Sequence, residues 1–427
     1  MKKRPFTILL VTMNSIAVLL GQGANATAVE SASPAAHAVN ALGLDLLKSP
    51  GNHGNALLSP YSIQSALAMT FAGAAGQTRE EMARVLHFLG EEAELHRSFA
   101  ALGQALEDAH KKSAEGAEGA RKYGRPGEPV TLTVANRLFG QQGHEFRQPF
   151  LELTRDTYGA PFQPMDFLRN AAAARLEINS WVEAQTRQRI RELIPPDGID
   201  RDTRLVLVNA IYLKAPWAQA FSTNLTRLLP FHVNGGLVMS PTMERRERFG
   251  YAQRDGYRVV TVPYSGGEIQ FLILLPDTVD GLSELEAKLT PQLLASAASP
   301  DTADVKLQLP KLKLEPPLMR LSEALSGLGM QSAFDKPQGS ANFDRMAPRK
   351  PEDYLKISEV FHKTLLELDE KGTEAAAATA VVMMRIASLA GETPKPIEVR
   401  VDRPFLFAIQ HRPSGACLFL GRVTNPL

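Results

Sequence analysis

The chain has 427 residues, 44% apolar and 22% charged, with a formal net charge of +1. That balance is ordinary for a globular protein and gives no bulk electrostatic attraction for nucleic acid or a membrane surface. The single cysteine, Cys417, excludes a disulfide within the chain and a thiolate metal cluster, and its apolar neighbours mark it as a core residue.

The N-terminus reads as a secretory leader. Lys2, Lys3 and Arg4 precede the apolar run Phe6 to Leu20, and Ala24-Asn25-Ala26 forms a small-x-small cleavage site. Asn14 and Ser15 interrupt the run and argue against a membrane anchor. The expectation is a signal peptide over 1–26 and a secreted, extracellular protein, or a periplasmic one if the source is a Gram-negative bacterium.

Further along, Ser59 suits an N-cap and Pro60 the first helical position, with Ile63, Ala66, Leu67 and Thr70 at helical spacing. Gly73 to Thr78 breaks this pattern, and Glu80 to Leu89 reads as a second helix. Residues 111–129 are polar, charged and Gly-rich, which predicts an exposed loop. Thr131 to Phe139 is strand-like, and Ala171 to Leu193 reads as a long helix containing Trp181. Leu205 to Leu213, holding Asn209, suits a strand buried on both faces.

Strands are expected at Arg258–Val262, Ile269–Leu275 and Val305–Leu309, and a helix at Leu318–Leu328. From Val360 to Leu368 the alternate residues Val360, His362, Thr364, Leu366 and Leu368 form one face of a strand. Strands at Ile397–Val401, Phe405–Ile409 and Cys417–Val423 close the chain. With no repeat and no long linker, the pattern is one α+β domain.

Motifs for an enzyme are missing. There is no HExxH, GxSxG, GxGxxG or Walker A sequence, and no histidine pair at metal-ligand spacing on a helix. No catalytic residue, metal or cofactor is expected.

The unusual segment runs from Glu370 to Thr379. Its alanines would favour a helix on propensity alone. Yet Gly372-Thr373 follows a strand directly, and no helical polar/apolar period is present. Read as extended chain, Thr373, Ala375, Ala377 and Thr379 share one side. Glu374, Ala376 and Ala378 share the other, with Glu374 expected to face solvent. Such a segment can sit in an exposed loop or slot between strands as a new one.

Here the sequence resembles the serpin family, from about residue 36 to the C-terminus. Glu370 to Thr379 follows the family's hinge pattern. Further matching blocks are Asn55–Met69, Gly73–Thr78, Asn136–Phe139, Ile178–Val182, Leu205–Trp217, Leu325–Phe334, Val399–Ile409 and Leu418–Pro426. Their order and spacing make the joint signal specific.

The resemblance implies three β-sheets, about nine helices and an exposed reactive-centre loop at about 370–396, in a single domain over 36–427. In the family the loop is bait for a serine protease. The attacked loop inserts into the central sheet and traps the acyl-enzyme as a covalent 1:1 complex. The hinge is then Glu370, Gly372, Thr373, Glu374, Ala375, Ala376, Ala377, Ala378 and Thr379. Ser59, Ser62, Asn209 and His362 match the polar cluster under the sheet centre. Trp217, Lys311 and Glu370 match the point where the loop first enters, with a Lys311–Glu370 pair expected. Leu213 and Ala215 depart from the family's usual Phe and Gly.

The attacked residue usually lies fourteen positions after the hinge glycine, which gives Ile386–Ala387 and an elastase-like protease. A loop shorter by one residue gives Arg385–Ile386 and a trypsin-like protease, and Met384 is a third position. A cysteine protease is a further kind of target. The chain is expected to act as a monomer. Lys111, Lys112, Arg121, Lys122 and Arg125 raise the question of polyanion binding, but Glu115, Glu118 and Glu128 dilute the charge and a solvated loop accounts for them. The alternative within the family is a non-inhibitory carrier or chaperone. The small hinge residues argue against it.

Overall fold

Two apolar-rich segments become interior strands of the largest sheet. Ile269–Pro276 and Ala416–Val423 are buried at every position, as strands covered on both faces must be. The computed structural model describes residues 33–49, 54–123, 127–350, 353–374 and 395–427. The expected signal peptide, hinge residues Ala375 to Thr379, Arg125, Met384, and the scissile candidates Arg385, Ile386 and Ala387 lie outside the described residues.

Nine helices occur among the described residues: α1 (Pro34–Leu47), α2 (Pro60–Gly73), α3 (Gly76–Val85), α4 (Glu92–Lys122), α5 (Gln148–Tyr158), α6 (Phe167–Gln185), α7 (Leu282–Lys288), α8 (Pro291–Ser296) and α9 (Ser322–Gly327). The strands are β1 (Ala56–Leu58), β2 (Thr131–Gln141), β3 (Phe162–Met165), β4 (Leu205–Pro216), β5 (Arg227–Val233), β6 (Gly236–Arg254), β7 (Tyr257–Pro263), β8 (Ile269–Pro276), β9 (Thr302–Pro310) and β10 (Leu312–Leu314). They continue as β11 (Met319–Arg320), β12 (Phe361–His362), β13 (Leu366–Asp369), β14 (Gly372–Thr373), β15 (Ile397–Arg400), β16 (Phe405–His411) and β17 (Ala416–Val423).

Three sheets result. A nine-stranded sheet runs β1-β17-β16-β8-β7-β6-β9-β15, with β5 on β6. A six-stranded sheet runs β10-β13-β14-β4-β2-β3, and β11 pairs β12. On one face of the six-stranded sheet, Phe139 and Val208 pack with Phe167, Ile178 and Val182 of α6. Trp181 sits edge-on to Phe139, centroids 5.6 Å apart.

Several expected elements differ. The loop expected at 111–129 is mostly helix, because α4 continues to Lys122. Its buried positions Leu95, Phe99, Leu102, Leu106, Ala109, Ser113 and Ala117 recur three or four apart. The last three are small, so the apolar stripe fades in the sequence while the helix goes on. Ion pairs Glu107–Lys111 and Glu118–Lys122 support the exposed side. Small size is required here: Gly266, at φ +87, lies so close that a Cβ on it would be 2.9 Å from Ser113 Cβ.

The helix expected at 80–89 is α3, shifted toward Gly76. The helix expected to reach Leu193 stops at Gln185. Thr186 Oγ1 donates to Val182 O and accepts from Ile190 N, turning the chain while Ile190 and Leu193 stay buried. Apolar spacing thus outlasts the helix. The helix expected from Leu318 begins only at Ser322, whose N–H and hydroxyl bind Glu359. The expected strand Val360–Leu368 keeps its alternation, with His362, Thr364, Leu366 and Leu368 buried, but is interrupted between β12 and β13.

Candidate functional site

At one end of the six-stranded sheet, two residues form a strand of their own. In β14, Gly372 and Thr373 pair with Asp369 and Leu368 of β13 and with Pro216 and Ala215 of β4. The hinge therefore begins as a wedge between these strands. Gly372 has φ +144, and a Cβ there would overlap the Ala215 carbonyl oxygen and lie 2.7 Å from Pro216 Cα. Only glycine fits so close to β4.

Thr373 turns its side chain into the core, where Tyr264 Oη meets its Oγ1 at 2.5 Å. Trp217 stacks on Tyr264 with centroids 4.5 Å apart and planes 2° from parallel. Its Nε1 donates to Asp369 O at 2.9 Å, and its N–H to Lys371 O at 2.8 Å. Lys311 Nζ donates to Glu370 Oε2 at 3.0 Å, and Thr226 Oγ1 to Glu370 Oε1 at 2.8 Å. Burial alone would raise the Glu370 carboxyl. The bonds from Thr226, backbone and Lys311, with the Lys311 charge, outweigh it and hold the group below the usual carboxylate range.

Glu374 marks where the chain leaves the sheet. Its N–H donates to Glu367 O at 2.8 Å, in register with β13, but its φ is +53. Its side chain lies opposite Thr373 as expected, yet it does not face solvent: only 11% is exposed. Arg189, on the turn after α6, pairs with it, and the Tyr212 hydroxyl donates to it. The post-α6 turn covers this side of the sheet, which strand alternation could not reveal. Burial raises the Glu374 carboxyl, and Arg189 and Tyr212 only partly offset this.

Lower in the sheet, Ser59, Ser62, Asn209 and His362 come together. Ser59 N–H donates to His362 Nε2 at 3.0 Å, and Ser59 Oγ donates to Leu418 O at 2.6 Å. Ser59 Oγ also caps α2 by accepting from Ser62 N. Ser62 Oγ donates to Asn209 O at 3.4 Å, and Asn209 Nδ2 donates to Asn136 Oδ1. Burial lowers the His362 pKa to about 4. The buried Asn209 Oδ1 has no hydrogen-bond partner among the described residues. A small cavity of about 10 Å³ lies between Asn209 and His362.

Sequence reasoning did not single out Tyr264, Thr226, Arg189, Tyr212 or Asn136. Asn136 and Tyr212 lay inside matching blocks without being assigned a role. The others carry no local signal, since their partners are distant in sequence. Leu213 and Ala215 are buried, and Ala215 backs Thr373. Among the described residues no cluster of His, Cys, Asp or Glu could hold a metal, and no helix is long and apolar enough to cross a membrane.

Known proteins resemble the chain over most of its length. Residues 37–426 match the family described as Serpin (serine protease inhibitor). The leukocyte elastase inhibitor of Bos taurus is 38% identical over 383 residues, covering 87% of this chain and 93% of that protein. An uncharacterized serpin-like protein of Thermococcus kodakarensis is 35% identical, covering 92% of this chain and 86% of its own. Among solved structures, a cleaved Serpin 42Da superposes with TM-score 0.76 at 29% identity, over 92% of this chain and 98% of that one.

Proposed function

The chain belongs to the serpin family of serine protease inhibitors, and from that premise we propose that it is a single-use trap working by loop insertion. It is an inhibitor and not an enzyme. The protease serine attacks the Ile386 carbonyl, forming an acyl-enzyme and releasing Ala387 as a new N-terminus. The freed hinge then extends β14 down between β13 and β4, carrying the protease with it before water can attack the ester.

One observation carries this reading: Gly372 and Thr373 already pair with both neighbouring strands. Continuing those registers sets Ala375 between Leu366 and Leu213, Ala377 between Thr364 and Ile211, and Thr379 between His362 and Asn209. The Thr379 hydroxyl then reaches the unpartnered Asn209 Oδ1. In this reading Ser59, Ser62, Asn209 and His362 form the place where strands part, and Trp217, Lys311 and Glu370 guard the entry.

The target is a serine protease with an apolar specificity pocket. Ile386 supports this, as does the name elastase inhibitor borne by the bovine relative. The residue pattern at the N-terminus supports export, with a leader over 1–26 followed by one domain over 36–427, acting as a monomer.

Mixing the chain with elastase-like and trypsin-like proteases tests the trap. An SDS-resistant 1:1 complex with the elastase-like enzyme is expected, and the released peptide should begin at Ala387. Cleavage without complex would reject the mechanism, and a peptide beginning at Ile386 would move the bond to Arg385.

A further inference from the structure

Between the turn after α6, β10 and the segment 363–367 lies an open cavity of about 390 Å³, a volume typical of small-molecule sites. Its charged walls are Arg189, Arg191, Lys313 and Lys363 against Glu315 and Glu367. The charges do not balance. Glu367 is shared by Arg189 at 3.7 Å and Lys313 at 3.3 Å, and Arg189 also serves Glu374.

Arg191 and Lys363 have no carboxylate within 4.0 Å among the described residues. They are held together through backbone: Lys363 Nζ donates to Arg191 O at 2.8 Å, and Arg191 Nε to Gln188 O at 3.1 Å. The turn that presents Arg191 is strained, with Arg187, Gln188 and Glu192 at φ 50, 63 and 50, over a buried Ile190. Side-chain-bearing residues hold such conformations only where surrounding structure fixes them, often at sites of function.

We infer that this cavity binds a small multivalent oxyanion of the phosphate or sulfate class, with the Arg191 guanidinium and the Lys363 ammonium as its main ligands. The guanidinium offers paired donors to two oxygens, and the ammonium adds a point charge. Arg189 and Lys313 supply the remaining positive field. An occupant ties the turn to the β13 side of the sheet. Resting on the insertion reading above, it therefore slows the opening of the sheet between β13 and β4.

Calorimetric titration of the intact chain with inorganic phosphate, pyrophosphate and sulfate, at fixed ionic strength in chloride, tests the site. Saturable 1:1 binding is expected, weaker by about tenfold or more in R191Q and in K363Q and unchanged in K122Q on α4. R191K, which keeps charge but loses the fork, should fall between; it also serves if circular dichroism shows a glutamine variant unfolded. No saturable binding, or binding that R191Q and K363Q retain, overturns the site. No protease is present in this titration, so its failure is separate from failure of the trap. With protease added, phosphate should slow complex formation by the wild type and not by R191Q. Equal slowing of both would overturn the regulatory role alone.

Discussion

His362 accepts a hydrogen bond on Nε2, so its proton sits on Nδ1 and the buried ring is neutral. Burial takes its pKa from 6.5 to about 4. The unfolded chain therefore binds a proton near pH 6.5 that the folded chain refuses until about pH 4. The resulting stability is complete above the unfolded value and is lost as pH falls through this window, by about 3 kcal/mol in total. His96 and His411 are lowered by burial too. His362→Gln should thus flatten, without abolishing, the fall in melting temperature between neutral and acidic pH; an unchanged slope would mean the ring is not enclosed.

Glu374 has the opposite sign. Its raised pKa means that its ionised form weakens the fold as pH rises above its titration. Arg189→Gln removes its cation and deepens that loss by about 1–3 kcal/mol. The gap between wild type and R189Q should therefore shrink as pH falls and the carboxyl protonates, and a gap independent of pH would count against the pairing. Ser59 and Asn209 were legible through matching blocks, and His362 through the period-two alternation of Val360 to Leu368. The sequence could not supply Thr226, which lies 144 residues from Glu370, or Tyr264, 109 residues from Thr373. Neither contact leaves a local pattern.

At the scale of elements, β14 is only two residues long and is held on both edges. Gly372→Ala would place a methyl group against the Ala215 carbonyl and Pro216. The wedge should leave the sheet, uncovering Trp217, which stacks on Tyr264, hydrogen-bonds Asp369 and Lys371 and is 4% exposed. A red-shifted tryptophan emission and slower complex formation are expected; unchanged emission would mean that β4 yields instead. Strands such as β8 were legible because burial on both faces leaves an almost continuous apolar run, broken only by Gln270. α4 was not, because Ala109, Ser113 and Ala117 bury little apolar area where the helix passes Gly266. The turn after α6 misled for a related reason: Ile190 and Leu193 continue the buried spacing after Thr186 has ended the helix.

For the molecule as a whole, the free energy of trapping must come from the sheet that receives the hinge. Each backbone hydrogen bond made on insertion is worth about 0.5–1.5 kcal/mol net. A strand reaching from Ala375 toward Ile386 gains such bonds along both edges, on the order of 10 kcal/mol. That rivals the whole stability of an ordinary domain. A chain nicked after Ile386 should consequently melt far above the intact chain. Thr373→Arg separates this from any simpler effect of cleavage. Thr373 is 2% exposed against Tyr264, and a guanidinium buried there would lack a partner. The wedge already seated at Thr373 would be displaced, insertion would lose its starting point, the ester would have time to hydrolyse, and the protease would turn over. Nicked T373R should then melt with its intact form and yield free protease, while nicked wild type does neither. If both nicked chains melt alike, insertion does not drive the trap.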